Sequence, residues 1–276
     1  PMKRWPLQSV LVALLCAWSV FATATPVVLH EKQSIFGLVT VKEDETGLRT
    51  LHFGHDGVRQ SAVKPGDPDH LELPYARVVM TGLALSAQTR RFLVIGLGGG
   101  SLPAFLRQHY PQAAIDAVDI DPEVVNVAKQ YFGFREDAAM RAHIADGRKF
   151  IDAIRQPYDI IFLDAFGSDS VPEHLTTLEF LRAVRRGTAP GGVVVGNIWG
   201  PYANRLYHSM VRTYREAFAE LVVLDVMGAG NKILLALPRR QSLTRDELII
   251  RARRLSAKER FRFDLGDLVR YGFEER

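Results

Sequence analysis

Glycines and a carboxylate follow two neighbouring apolar runs of this sequence, at a spacing that suits a nucleoside ligand. Gly96, Gly98 and Gly100 come directly after the run FLVI, and glycine permits the positive φ that lets a ligand lie against the backbone. Asp119 ends the next apolar run about twenty residues later, where a carboxylate can accept hydrogen bonds from both ribose hydroxyls. The glycines and Asp119 together indicate a dinucleotide or nucleoside site.

A third apolar run distinguishes between these two ligands. It ends at Asp146 and Gly147, where the aspartate can meet an adenine amino group. Dinucleotide sites usually have glycine at the sixth position of the loop, but Ser101 stands there. The combination favours an adenosine-containing ligand without a pyrophosphate, such as S-adenosylmethionine or a relative.

The elements that must position these residues alternate between strand and helix patterns from Arg91 onward. The runs that predict strands are, in order, RFLVIGL, AIDAVDID, RAHIADG, YDIIFLDAF and GVVVGNIWG. The later runs LVVLDVMG and NKILLALP predict a closing antiparallel pair. This order predicts an α/β fold with a Rossmann-like, doubly wound, mainly parallel sheet. Ligands bind such sheets at the carboxyl ends of the strands, which is where the glycines and aspartates fall.

The segment before this sheet has a different pattern. The β-rich runs SIFGLVTVKED and LRTLHFGHDGVRQSAV, separated by ETG, predict a small N-terminal antiparallel β unit. The run LELPYARVVMTGLALS predicts a helix that begins at Pro74, and the charged segment after Pro238 predicts a surface helix.

The first residues resemble a signal peptide. A basic start precedes the apolar stretch Leu7–Phe21, and the small residues Ala22 and Ala24 have the spacing of a cleavage site. An uncleaved anchor is the alternative. The prediction is a periplasmic or exported protein with no stable membrane span in the mature chain, or a cytoplasmic one if this segment is not a signal.

The predicted organisation therefore has four parts. They are a signal peptide (1–24), a small β unit (25–74), a Rossmann-like adenosyl-binding catalytic domain (75–240) and a charged helical tail (241–276).

Composition excludes several other classes of protein. The formal net charge is +4, but basic and acidic residues are interleaved, so a nucleic-acid partner is not expected. Cys16 is the only cysteine, which rules out an internal disulfide and a Cys-based zinc site. The 8 histidines lack the spacing of a zinc-binding helix, and no metal is expected.

Several motifs in one order resemble the spermidine synthase-like (polyamine aminopropyltransferase) family of the class I SAM-dependent methyltransferase superfamily. They are VIGLGGGSLP, VDIDPEVVNVAKQYFG, ADGRKFI and YDIIFLDAF followed by VPEHLTTLEFL. The resemblance extends over about Gln33 to Pro238. It implies a SAM-methyltransferase fold, S-adenosylmethionine or its decarboxylated form as donor, a polyamine or other amine as acceptor, and commonly a homodimer.

The resemblance also implies roles for individual residues. Asp164 matches the family's catalytic carboxylate, which would orient an amine and accept its proton as the amine attacks the carbon next to a sulfonium. Gln60 matches a position of the donor site. Tyr75 and Glu72 match the acceptor site, and Asp169 could replace the family's second acid.

The chain departs from the family at other positions. Gly99 stands where relatives carry an acid that binds the donor's amino group. Phe36 and Gly37 replace a tyrosine and a glutamine, and Arg77 replaces a glutamate and would repel a polycation if it faced the site. Asn197, at the end of the fifth strand, could hydrogen-bond a substrate.

Three functions remain open at this point. Aminopropyl transfer to a polyamine is the first, by family. SAM-dependent methyl transfer to a protein or small molecule is the second, because the glycine loop with SLPAFLRQHYP, IDAVDIDP and FGF also resembles the C-terminal domain of a eukaryotic protein methyltransferase that acts on elongation factor 1A. A non-catalytic nucleoside-binding protein is the third.

Overall fold

The computed structural model of the chain describes residues 25–54, 57, 59–166 and 171–275. The predicted signal peptide and Asp169 therefore lie outside the described residues. The described strands form two sheets, one of four strands and one of seven.

The larger sheet carries the predicted ligand-binding residues. Its strands are β5 (Arg91–Ile95), β6 (Ala114–Asp119), β7 (Met140–Ile144), β8 (Tyr158–Leu163), β9 (Thr188–Trp199), β10 (Glu220–Asp225) and β11 (Asn231–Leu237). They lie in the order β10-β11-β9-β8-β5-β6-β7, and β5 to β9 pair in parallel. Strand β11 pairs antiparallel with both β9 and β10. The predicted α/β fold with a doubly wound, mainly parallel sheet is confirmed, as is its antiparallel pair.

Helices surround this sheet and extend to the C-terminus. They are α1 (Pro74–Val78), α2 (Ser101–His109), α3 (Pro122–Tyr131), α4 (Gly147–Asp152), α5 (Leu178–Arg186), α6 (Tyr207–Ala217), α7 (Arg245–Glu259) and α8 (Leu265–Gly272). The central strands are apolar on both faces: Phe92, Leu93 and Val94 of β5 are all 0% exposed. Such continuous burial is typical of parallel strands covered by helices on both sides. Within the described residues, none of the helices is long and apolar enough to cross a membrane.

The strand order reverses at β5, which has β6 on one side and β8 on the other. A crevice opens at such a point, outside the carboxyl ends of the strands. Backbone hydrogen bonds continue the ladder to its edge: the N–H of Asp164 donates to the Ile95 carbonyl at 2.8 Å, and the N–H of Gly96 donates to the Val118 carbonyl at 2.8 Å. The glycine loop and Asp164 therefore emerge side by side.

The predicted N-terminal antiparallel β unit is also confirmed, with one more strand than expected. Its order is β1 (Val27–Ser34), β2 (Gly37–Glu43), β3 (Arg49–Phe53) and β4 (Arg59–Val63). The run SIFGLVTVKED is not one strand, because the chain turns at residues 35–36 and Gly37 has a φ of +134°. Strand β1 is attached to α3 through Glu123, which binds both His30 and Lys32.

Two other segments differ from the predictions. The helix that begins at Pro74 ends at Val78 and continues as a 3₁₀ helix, Val79–Ala84. The tail is not one surface helix, as predicted, but two helices that complete the core. Leu248 of α7 and Leu265 of α8 are both 0% exposed, because α7 turns an apolar stripe inward and its charges outward.

Candidate active site

A cavity of about 320 Å³ lies at the carboxyl edge of the large sheet and is closed on the opposite side by the N-terminal sheet. Its wall includes the ends of β5, β6 and β8, the start of α4 and the 3₁₀ turn Glu173–Leu175. The predicted site residues that line it are Gln60, Tyr75, Gly96, Gly98, Asp119, Asp146, Gly147 and Asp164. The fold thus brings eight of the predicted residues to one cavity.

The first glycines of the loop allow two strands and a ligand to meet closely. Gly96 has a φ of +100°, and a Cβ there would lie 2.3 Å from the carbonyl oxygen of Asp164. Any side chain at this position would therefore separate β5 from β8. Gly98 has a φ of +52°, and a Cβ there would lie 3.4 Å from the Cβ of Ser61 on β4.

The later glycines of the loop do not line the cavity. Gly100, predicted to bind the cofactor, begins α2 instead, and a Cβ there would lie 2.9 Å from the ring of Phe134. Gly99 is directed toward β4 and α3, because a Cβ there would lie 2.9 Å from Ser61 Oγ and 3.1 Å from Val63 and Phe132. The position where the family resemblance predicts an acid is therefore packed against protein in this chain.

Asp119 holds the loop and faces the cavity at the end of β6. Its Oδ2 accepts the backbone N–H of Leu97 at 2.9 Å, and its Oδ1 accepts that of Asp121 at 3.0 Å. Burial raises the pKa of Asp119, while these backbone hydrogen bonds oppose the rise. Each carboxylate oxygen has a second lone pair, so Asp119 can still accept ribose hydroxyls.

Asp146 is engaged with the protein at both of its oxygens. Its Oδ1 accepts the N–H of Lys149 at 3.0 Å and so caps α4, while Oδ2 lies 3.0 Å from Nε2 of His174. Burial opposes ionisation, but the Lys149 N–H and the charge of His174 together lower the pKa of Asp146 below its usual value. A Cβ on Gly147 would lie 2.7 Å from Ile95, so the close approach of α4 to β5 requires glycine there.

Asp164 lies at the end of β8 with a hydrogen-bond donor on each oxygen. Oδ2 accepts the hydroxyl of Tyr75 at 3.1 Å, and Oδ1 accepts Nδ2 of Asn197 at 2.8 Å. Burial raises the pKa of Asp164 to about 7, although both hydrogen bonds act to lower it. Burial, and next the charge of Asp164, raise the pKa of Tyr75 well above its ordinary value, so Tyr75 remains the donor.

The sequence interpretation missed the partner role of two asparagines. The sequence offered Asn197 as a residue that could hydrogen-bond a substrate, but its amide donates to Asp164, and its Oδ1 accepts Nδ2 of Asn231 at 2.9 Å. Asn231 begins β11, and only the antiparallel register of β9 with β11 brings it near Asn197. The only signal for this pairing in the sequence is that two of the predicted strands each contain an asparagine.

The predicted acceptor residues are not all in the cavity. Tyr75 lines it, whereas Glu72 does not and binds His70 at 2.9 Å. Arg77 donates to the backbone carbonyls of Leu71 and Glu72 and does not line the cavity, so it does not repel a cation there.

The cavity is acidic. The ionisable residues among its described lining are Asp119, Asp121, Asp146, Asp164, Tyr75 and His174, with no lysine or arginine. A cleft lined by one sign of charge concentrates ligands of the opposite sign. This cavity therefore favours sulfonium and ammonium groups. Within the described residues, no group of three His, Cys, Asp or Glu side chains is placed to hold a metal ion.

A family model described as the spermine/spermidine synthase domain matches residues 73–226, which is more than half of the chain. The chain belongs to this family. A polyamine aminopropyltransferase of Vibrio vulnificus is 35% identical over 245 residues, which cover 84% of this chain and 81% of the relative. Because the family model and this relative both point to aminopropyl transfer, the protein is a transferase.

Solved structures share this fold. A spermidine synthase from Thermotoga maritima superposes with a TM-score of 0.70 at 17% identity, covering 90% of this chain and 84% of the other, which shows the shared fold. Human methyltransferase-like protein 13, solved in complex with SAH, superposes with a TM-score of 0.60 at 29% identity, covering 74% of this chain and 94% of the other.

Proposed function

We propose that this protein transfers an aminopropyl group from decarboxylated S-adenosylmethionine to a polyamine or a related amine. The observation that carries the proposal is Asp164, a carboxyl group with a pKa of about 7 between two donors at the edge of an acidic cavity. A general base is most effective when its pKa lies near the working pH. The relative from Vibrio vulnificus, named polyamine aminopropyltransferase, supports the same reaction.

The reaction balances with this chain's own groups. The acceptor nitrogen forms a bond to the propyl carbon attached to the sulfonium, and the bond from that carbon to sulfur breaks. The bonding electrons remain on sulfur, which leaves as the neutral thioether methylthioadenosine. Asp164 accepts the proton lost by the amine, and Tyr75 keeps the second carboxylate oxygen in place. Because the leaving group is neutral, no acid is required.

Asp119 and the glycine loop would hold the nucleoside of the donor. Gly96 and Gly98 leave the backbone open to the ligand, and Asp119 lies on the same wall with lone pairs for the ribose. Gln60 lies on the opposite wall, on β4. For Asp146 to bind an adenine amino group, its Oδ2 must share or exchange the contact with His174.

Methyl transfer from intact S-adenosylmethionine is the second candidate. It is supported by the 29% identity to human methyltransferase-like protein 13, whose structure contains SAH. The charge of the cavity favours the decarboxylated donor instead. The intact donor carries an α-carboxylate, and the described lining offers four carboxylic acids and neither lysine nor arginine to meet it.

Calorimetric titration with the two donors tests this choice. We expect decarboxylated S-adenosylmethionine to bind at least about tenfold more tightly than the intact form, because the acidic cavity disfavours the α-carboxylate. Methylthioadenosine has neither the sulfonium charge nor the amino group of the donor, so its affinity measures the contribution of the nucleoside alone. Preference for the intact donor would favour methyl transfer, and failure of all three to bind would contradict both reactions.

The rate of transfer is expected to depend on the ionisation of Asp164. Its pKa is raised to about 7, so the group is protonated and unable to accept a proton below that pH. We expect kcat/KM, which reports the ionisation of the free enzyme, to fall as the pH is lowered from 8 to 6. A profile of kcat/KM against pH measures this, and a flat profile over that interval would contradict the assignment of Asp164 as the base.

We also propose a homodimer and export from the cytoplasm. A partner surface on the N-terminal sheet is supported by two adjacent exposed apolar side chains at the turn between β1 and β2: Ile35 is 79% exposed and Phe36 56%. Contiguous exposed apolar residues often mark contacts between proteins. Export rests on the sequence of residues 1–24 alone.

A further inference from the structure

A chain of side-chain hydrogen bonds leads from Asp164 into the sheet, away from the cavity. Asn197 donates to Asp164 at 2.8 Å, and Asn231 donates to Asn197 at 2.9 Å. The two asparagines are 3% and 4% exposed, and neither lines the cavity. Burying amides has an unfavourable free energy unless they are hydrogen-bonded, so this pair calls for a physical explanation.

Strand pairing fixes the positions of both side chains. In the antiparallel ladder of β9 and β11, Asn197 lies opposite Ile233, two residues from Asn231. Side chains two residues apart in a strand point to the same face, so the two amides are diagonal neighbours on one face of the sheet. Asn197 is therefore supported by a second strand on the side away from Asp164.

An amide has a donor on one side and an acceptor on the other, so the partners of Asn197 determine which way its side chain is turned. An ionised carboxylate only accepts hydrogen bonds, so Asn197 must present its NH₂ group to Asp164 and its carbonyl to Asn231. If Asn197 turned over, its carbonyl would face Asp164 and could bind only the protonated acid. Its NH₂ would then face the NH₂ of Asn231, with no acceptor between them unless Asn231 turned over as well. Because turning Asn197 alone loses both hydrogen bonds, Asn231 stabilises the orientation of Asn197 that suits the ionised form of Asp164.

We propose that Asn197 and Asn231 are positioning residues, with Asn231 fixing the orientation of Asn197 and Asn197 holding Asp164 as an ionised base aimed at the acceptor amine. The proposal rests on the proposed function of Asp164. Tyr75 is the titratable group in contact with Asp164, and Asp119, Asp121, Asp146 and His174 are the other acidic and basic groups of the cavity wall. All five remain in place when the asparagines are changed.

Asn197→Leu and Asn231→Leu test the proposal, because leucine keeps the branched arrangement of heavy atoms of asparagine and its side chain forms no hydrogen bonds. The pKa of the Asp164 carboxyl is measured by ¹³C NMR in the ligand-free protein, and kcat is measured against pH. We expect each variant to raise that pKa by about one unit, because the ionised form loses its donor or the orientation of that donor. The ionised fraction at pH 7, and with it kcat, then falls about fivefold. KM for the donor should change less than about twofold, and kcat should recover at pH 9.

The double variant shows whether Asn231 changes the pKa of Asp164 through Asn197 or independently of it. If Asn231 acts only through Asn197, Asn197→Leu combined with Asn231→Leu should shift the pKa no further than Asn197→Leu alone. Asn204→Ala is the matched control, because its amide contacts the Trp199 carbonyl and the Met210 sulfur rather than Asp164. It should leave the pKa unchanged. Circular dichroism confirms folding, and alanine replaces leucine in any variant that fails to fold.

Three results would overturn the proposal. They are an unchanged Asp164 pKa in the folded single variants, additive shifts in the double variant, or an equal shift in Asn204→Ala. The NMR measurement needs no turnover, so it also separates the two hypotheses. A raised pKa in a protein without aminopropyl transfer would contradict the proposed function and leave the positioning of Asp164 supported.

Discussion

Replacing Asp164 with asparagine is expected to lower kcat by about 10³-fold, because the acceptor amine loses the group that takes its proton. Asparagine has the same shape: its carbonyl can accept the Asn197 amide, and its NH₂ group can donate to the Tyr75 hydroxyl, which is able to accept as well as donate. The side chain should therefore remain in place and the fold should be kept. The Kd of decarboxylated S-adenosylmethionine, measured by calorimetry, should change less than about threefold because the nucleoside contacts lie elsewhere.

Asp146→Asn is the matched control for this variant. It also exchanges a carboxylate for an amide in the same cavity, but Asp146 lies beside His174 and the start of α4 rather than beside Tyr75. We expect it to weaken donor binding and to leave kcat at saturating donor within about tenfold of the wild-type value. If Asp164→Asn kept kcat within the same limit, Asp164 would not be the base.

The central sheet was predictable from the sequence because its strands are runs in which most residues are apolar. Phe92, Leu93 and Val94 form a run that must be buried on both faces, and Gly96 follows where the backbone needs a positive φ. Such local signals predict where each strand ends, and strand ends determine the site in a doubly wound sheet. Asp119 and Asp164 could therefore be assigned to one crevice before any contact was known.

The parts that could not be predicted depend on contacts between distant segments. Strand β1 is attached to α3 through Glu123, and no local pattern in its own residues indicates that partner. The pairing of Asn197 with Asn231 requires the register of β9 against β11, which apolar patterns alone leave open. The tail was misread because the charges of α7 hide an apolar stripe that includes Leu248.

Gly99 stands where the family resemblance predicts an acid, and Gly99→Asp is expected to be strongly destabilising. The carboxylate would enter the space between Ser61, Val63 and Phe132, where a Cβ alone already lies within 3.1 Å of each. An uncompensated buried charge should lower the free energy of unfolding by about 3 to 5 kcal/mol, measured by urea denaturation. Gly99→Asn has the same volume without the charge, and the difference between the two variants isolates the electrostatic part.

The same variant tests how the donor's amino group is recognised. If residue 99 faces β4, as the contacts with Ser61 and Val63 require, Gly99→Asp cannot reach the donor and should not tighten its binding. Calorimetry with decarboxylated S-adenosylmethionine measures this directly. A folded Gly99→Asp protein that bound this donor about tenfold more tightly would show that the position faces the ligand after all. With no gain, we expect the donor's amino group to be met by an acid already in the cavity wall, such as Asp121, which follows β6. The acid missing from the loop would then be no argument against aminopropyl transfer, because this chain places its negative charge on the neighbouring strand ends instead.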